Sequence, residues 1–141
     1  MEYKRFDQSI VLRLDPGEEI LEKIKELSIK ENITLASVQG IGALNEFTIG
    51  LFKIEEKNFV ANTFQGSYEM VSLLGTINTM DGAFYSHLHM SAADEKGHMF
   101  GGHLSKAVTS ATCEIIITLI EGNVDRKYDE GTGLNIFDFN R

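Results

Sequence analysis

Apolar residues recur at helical spacing in only one long stretch of this chain. Ile20, Leu21, Ile24, Leu27 and Ile29 are separated mainly by three or four positions, with Lys25, Lys30 and Glu31 supplying polar positions. The spacing predicts a helix of about four turns. Asp15 is suited to be its N-cap and Pro16 its first residue, and Glu18 and Glu19 would sit well at the positive end of the helix dipole. Asn32 is a good terminator. Little else is helical in pattern, so the rest must be built mainly from strands.

The strand signals come in succession. Residues 3–14 alternate in part and end at the turn Asp15-Pro16-Gly17. Residues 33–39 are β-prone up to Gly40-Ile41-Gly42, where glycine in a strand pattern suggests a bulge. Residues 45–54, 58–64 and 68–78 follow, and Asp81-Gly82 marks a hairpin turn. Residues 83–92 alternate cleanly, 98–100 form a short run, and 112–121 are rich in Ile and Thr, as in a central strand. Residues 134–139 make a last strand, and 105–111 have a weak helical look. Strands in sequence with few helices predict an α+β fold. Its sheet would be largely antiparallel, of about seven strands, with one main helix and one or two short flanking helices. There is no internal repeat, low-complexity segment or linker, and one domain over residues 1–141 is expected.

Composition narrows the function classes. The formal net charge is −8 and the pI about 4.9, with the 13 basic residues scattered. That opposes binding to a phosphate backbone, which needs concentrated Lys and Arg. The single cysteine, Cys113, excludes a disulfide scaffold; beside Ile115-Ile116-Ile117 it reads as a small buried hydrophobe. No apolar run is long enough to span a bilayer, and no secretory h-region follows Met1-Glu2-Tyr3-Lys4-Arg5. A cytoplasmic protein without membrane contact is the expectation.

All four histidines fall within residues 87–103. In a strand, His87 and His89 project from one face, because side chains alternate with a period of two. Two imidazoles so placed can chelate one ion. His103 is the best third ligand, since Gly101-Gly102 before it permits close backbone approach. Neutral imidazole suits zinc, and also copper, iron or nickel. Three histidines leave a position open for water or a small ligand. The competing reading is that these side chains only pack and hydrogen-bond. His98, beside the polar turn 94–97, reads as an exposed turn residue. Glu69 is a weak candidate for a functional acid or a partner of the cluster, against the plainer reading of a solvent-facing strand residue. Asp125-Arg126-Lys127 reads as a solvated turn. Gly40-Ile41-Gly42 lacks the third glycine and the following helix of a dinucleotide-binding loop.

Three stretches together resemble the plants and prokaryotes conserved (PPC) domain. Residues 66–77 (Gly66-Ser67-Tyr68-Glu69-Met70-Val71 and the strand after it) are similar to the family's Gly-Arg-Phe-Glu-Ile-Leu stretch. Residues 84–91 are similar to its His-Leu-His strand, and residues 97–104 to its Gly-Gly-His-Leu turn. The resemblance implies an antiparallel sheet of about seven strands, a homotrimer, and a metal of zinc type at His87, His89 and His103. Prokaryotic members often carry a DNA-binding label. Ser67 departs from the arginine of the plant stretch that contacts protein partners, and no AT-hook is present. The fold is also distantly similar to that of acetolactate decarboxylase, a zinc enzyme, but fold does not confer function.

Three functions are therefore in play: a metal-binding, trimeric binding or regulatory module with a small-molecule or protein partner; a metal-dependent lyase or hydrolase acting on a small carbonyl or carboxylate compound; and a direct DNA-binding protein. The acidic charge weighs against the last.

Overall fold

The computed structural model describes residues 1–140. The one strongly helical pattern becomes α1 (Ile20–Lys30), and eight strands make up most of the remainder. These are β1 (Glu2–Arg5), β2 (Ser9–Leu14), β3 (Ala36–Lys53), β4 (Asn58–Met80), β5 (Ala83–Ala93), β6 (Met99–Leu119), β7 (Asp125–Asp129) and β8 (Leu134–Asp138). Six of them form one antiparallel sheet in the order β1-β2-β6-β3-β4-β5, with β5 also pairing β6; β7 and β8 form a separate hairpin. The α+β class with an antiparallel sheet is as expected.

Several boundaries differ from the sequence reading. Residues 105–111 are strand, the middle of β6, and α1 is the only helix among the described residues. They pair with β3 at residues 106–109, with a single bridge from Val108 to Glu19 on the other side, and β-branched Val108 and Thr109 suit that ladder. Pairs of expected strands fuse into single long ones, because the glycines between them make bulges rather than ends. The β3–β4 ladder, for example, shifts register between Gly40 and Gly42 and continues. Residues 3–14 are two strands of a hairpin rather than one. Asp125-Arg126-Lys127 is not a solvated turn: it opens β7, with Asp125 and Arg126 buried.

The helix starts later than expected. Asp15 and Pro16 belong to a turn in which Glu18 N–H donates to the Asp15 carbonyl at 3.2 Å. The N-cap is Glu19, whose Oε2 accepts from Glu22 N at 2.7 Å. Its Oε1 accepts from Ala107 N in β6 at 2.9 Å. One carboxylate thus caps α1 and ties it to the sheet; a cap is typically worth about 1 kcal/mol. Asn32 ends the helix as expected, in the left-handed region at φ 54°.

The core lies between α1 and one face of the sheet. Ile20, Ile24 and Leu27 meet Ile10 and Leu12 of β2, Val38 of β3, Leu73 and Ile77 of β4, and Ile115 and Ile117 of β6, all of them buried. Each such side chain contributes roughly 1.5–3 kcal/mol by leaving water. Cys113 is also fully buried, as expected, and burial pushes its thiol pKa up. On the opposite sheet face the alternation leaves apolar side chains exposed. Val11, Ile116 and Leu74 fall on one line across β2, β6, β3 and β4, with Gln39 between Ile116 and Leu74. A groove of about 720 Å³ runs over this face, flanked by Ile41 and Val71.

Candidate metal centre

β5 alternates strictly where the histidines lie: Leu88 and Met90 point into the core, so His87 and His89 must share the other face. The β5–β6 ladder then places His103 directly opposite His89. His103 also pairs Gly50 of β3, so three strands converge at that residue. The approach depends on Gly102. A Cβ there would lie 2.7 Å from the Gly50 carbonyl oxygen, a distance side-chain carbons do not tolerate.

The three imidazoles form a tight triangle. Ring centroids are 5.1 Å apart for His87–His89, 5.2 Å for His87–His103 and 5.4 Å for His89–His103. His87 Nε2 and His89 Nε2 are 3.2 Å apart. One ring nitrogen from each of the three lies within 4.8 Å of the others. Ligand atoms held about 2.0–2.1 Å from a single zinc ion span distances of this order. Phe59 of β4 stands edge-on to His103, centroids 5.6 Å apart, and forms an apolar wall.

Electrostatics favour the neutral, ligating form. Burial pushes the His87 pKa down to about 4, helped by the charges of His103, His89 and Arg126. His103 is also lowered, mainly by burial and then by His89. Both rings therefore keep a free lone pair at neutral pH, which is what a metal requires. The donor set and its protonation fit a divalent ion of zinc type.

His98 stays outside the triangle, in the turn, where its Nδ1 lies 3.0 Å from Asp94 Oδ2. Nor does the structure bring Glu69 to the cluster. It pairs Ala43 and Ala93, four positions along β5 from His89, a distance on the order of 13 Å. Its charge acts instead on Cys113. Arg126 is a residue that sequence reasoning missed. It is buried beneath Tyr85, two positions before His87, and nothing in a charged Asp-Arg-Lys run signals burial.

The fold and the site define a class: an antiparallel α+β domain with a three-histidine cluster carried on two paired strands. The chain belongs to the Plants and Prokaryotes Conserved (PCC) domain family, whose model matches residues 1–121. Solved structures agree. A plant- and prokaryote-conserved (PPC) protein of Pyrococcus horikoshii is 33% identical with a TM-score of 0.85, over 97% of this chain and 93% of that one. A candidate DNA-binding protein of Bacteroides thetaiotaomicron is 28% identical with a TM-score of 0.96, over 99% and 98% of the two chains. A protein of Archaeoglobus fulgidus described as metal-containing is 29% identical with a TM-score of 0.87, over 97% and 99%. Acetolactate decarboxylase of Bacillus subtilis shares the fold alone, at 14% identity and a TM-score of 0.60, over 86% of this chain and 57% of that one. Among curated relatives, the bifunctional protein GlmU of Synechococcus sp. (strain JA-3-3Ab) is 27% identical over 125 residues; the match covers 86% of this chain, which spans only 19% of that protein's length.

Proposed function

We propose that this chain is a divalent-metal-binding module, with zinc as its metal, that presents the open position of a three-histidine site to a small ligand. His87, His89 and His103 hold the ion. The observation that carries the reading is the convergence of three ring nitrogens within 4.8 Å from residues on two strands. The depressed pKa values of His87 and His103 and the metal-containing relative from Archaeoglobus fulgidus support it. When bound, the ion supplies a Lewis-acid position for an oxygen ligand. The distance of Glu69 from the cluster favours binding over acid–base catalysis, because a catalytic proton donor must stand within hydrogen-bond reach or one water away.

The module works as a homotrimer in the same proposal. The apolar line Val11, Ile116 and Leu74 on the face away from α1 is what a subunit interface would cover.

Elemental analysis of purified, tag-free protein tests the metal reading, with His87→Ala/His89→Ala alongside. Near one metal per chain, lost in the double variant, is expected. A protein that stays metal-free after incubation with zinc overturns it.

A second reading, association with DNA, is favoured by the Bacteroides thetaiotaomicron relative. It requires affinity that falls steeply with salt, one counterion per phosphate contact. With a net charge of −8, duplex binding that is weak and nearly flat with salt is expected.

A further inference from the structure

Arg126 is only 4% exposed. Its guanidinium lies between two rings, 4.7 Å from the centroid of Tyr85 and 4.3 Å from that of Phe137. Nε donates to Asn78 Oδ1 at 2.9 Å and Nη1 to the Asn135 carbonyl at 2.7 Å. Both acceptors are neutral. Among the described residues, the side-chain bonds of Arg126 are those of Nε and Nη1, no carboxylate forms an ion pair with it, and no buried side-chain nitrogen is left without a partner, so the Nη2 edge reaches the surface. Buried charges are normally paired, because an uncompensated one is costly to take out of water. A shortage of carboxylates is not the reason, since the chain has 21 Asp and Glu against 13 Lys and Arg.

Position supplies a reason. Tyr85 lies two residues before His87 on β5, so both side chains project from the same face as His89. Asn78, which holds Nε, pairs Tyr85 in the β4–β5 ladder, and Thr76 two residues away pairs His87. The positive charge of Arg126 acts on His87. The other cations of β7 and the β3–β4 turn are engaged: Lys127 with Asp138, and Lys57 with the Glu130 carbonyl. A single fixed guanidinium with one free N–H edge therefore adjoins the imidazole triangle, among the rings of Tyr85 and Phe137.

We propose that Arg126 is an anion-anchoring residue of the metal centre, and that the ligand taken there is a small organic carboxylate. The inference rests on the metal reading and names its ligand class. The guanidinium supplies the counter-charge and the planar donor edge that suit a carboxylate. The rings of Tyr85 and Phe137 flank the guanidinium, and such apolar surroundings suit an organic acid better than inorganic phosphate. Arg126 lies in the C-terminal hairpin, beyond residues 1–121 that the family model matches.

The test uses zinc-loaded, full-length protein and nitrogen-15 NMR of the arginine side chains. Propionate is the probe, with propionamide and inorganic phosphate as controls. Propionate is expected to shift the Arg126 Nε and Nη signals saturably; propionamide, of the same shape without the charge, is expected to leave them in place. Arg126→Gln, if folded by its melting curve, should bind propionate about tenfold or more weakly, as for a lost hydrogen bond to a charged group. The wild-type spectra decide the matter even if that variant unfolds. Unmoved Arg126 signals in a protein that has taken up zinc overturn the inference and leave the metal centre standing. An equal response to phosphate overturns the carboxylate assignment. A protein that takes up no zinc, counted on the same sample, fails both readings.

Discussion

His103 stands directly opposite His89 across the β5–β6 ladder, and this pairing turns a two-histidine strand into a three-histidine site. The site is therefore as precise as the ladder register. Gly102→Ala should disturb that register, since the new Cβ would press on the Gly50 carbonyl. The expected cost is about 1–3 kcal/mol of stability, as for other overpacked positions. Metal affinity should fall about ten- to hundredfold, as when support for a ligand is lost. Zinc competition with a chromophoric chelator measures it; unchanged affinity in a destabilised variant would separate the glycine from the site.

The exposed apolar line gives a prediction about assembly. Leu74 is 57% exposed on the face away from α1. If the proposed trimer packs through this face, Leu74→Glu should yield single chains, because a carboxylate buried at an interface without a partner is strongly disfavoured. Native mass spectrometry and light scattering report the stoichiometry. Circular dichroism should show that the chains remain folded, and a variant that stays trimeric would move the interface elsewhere.

Phe47 tests the packing of the core between β3 and β4. It is fully buried, stacks on Phe64 with centroids 4.9 Å apart and meets Tyr68 edge-on at 5.0 Å. Phe47→Ala should cost about 3–5 kcal/mol in urea unfolding, since its neighbours cannot fill the space of a ring. A loss below 1 kcal/mol would show that β3 and β4 collapse onto the gap.

Cys113 carries a prediction with a definite pH sign. Burial holds the thiol proton in the folded state where the unfolded chain would release it. The raised pKa contributes nothing below the ordinary thiol value of 9.0 and destabilises the fold as pH rises through and above that value. Below that value iodoacetamide should label Cys113 far more slowly in native protein than in urea. Equal rates, read by intact mass, would mean that the strand around Thr109 and Cys113 opens readily.

The sequence made the helix and β5 legible because each carries a strong period along one element: Ile20, Ile24 and Leu27 at helical spacing, Leu88 and Met90 alternating with the histidines. It also offered His103 as the third ligand to the His87-Leu88-His89 strand, since Gly101-Gly102 before it permits close backbone approach. The long strands were illegible because Gly40, Gly42, Gly101 and Gly102 look like ends and serve as bulges or points of close approach. Residues 105–111 looked helical because Ala107 and Ala111 carry no β preference; only their partners in β3 make them strand. Arg126 was invisible for a related reason. Its burial is imposed by Tyr85 and Asn78 from β5 and β4 and by Phe137, its partner across the β7–β8 hairpin.

The second pairing of β5, with β6 over Ala93 to His89, has a consequence for how the protein behaves in a crowded solution. Over that span both sides of β5 are occupied, so the strand bearing two of the histidines offers no template there for a foreign chain. At the other end of the sheet the outermost strand is β1, four residues long, three of them the charged Glu2, Lys4 and Arg5. A short charged rim at one side and a seam closed over residues 89–93 at the other are arrangements that oppose strand-by-strand growth at those edges.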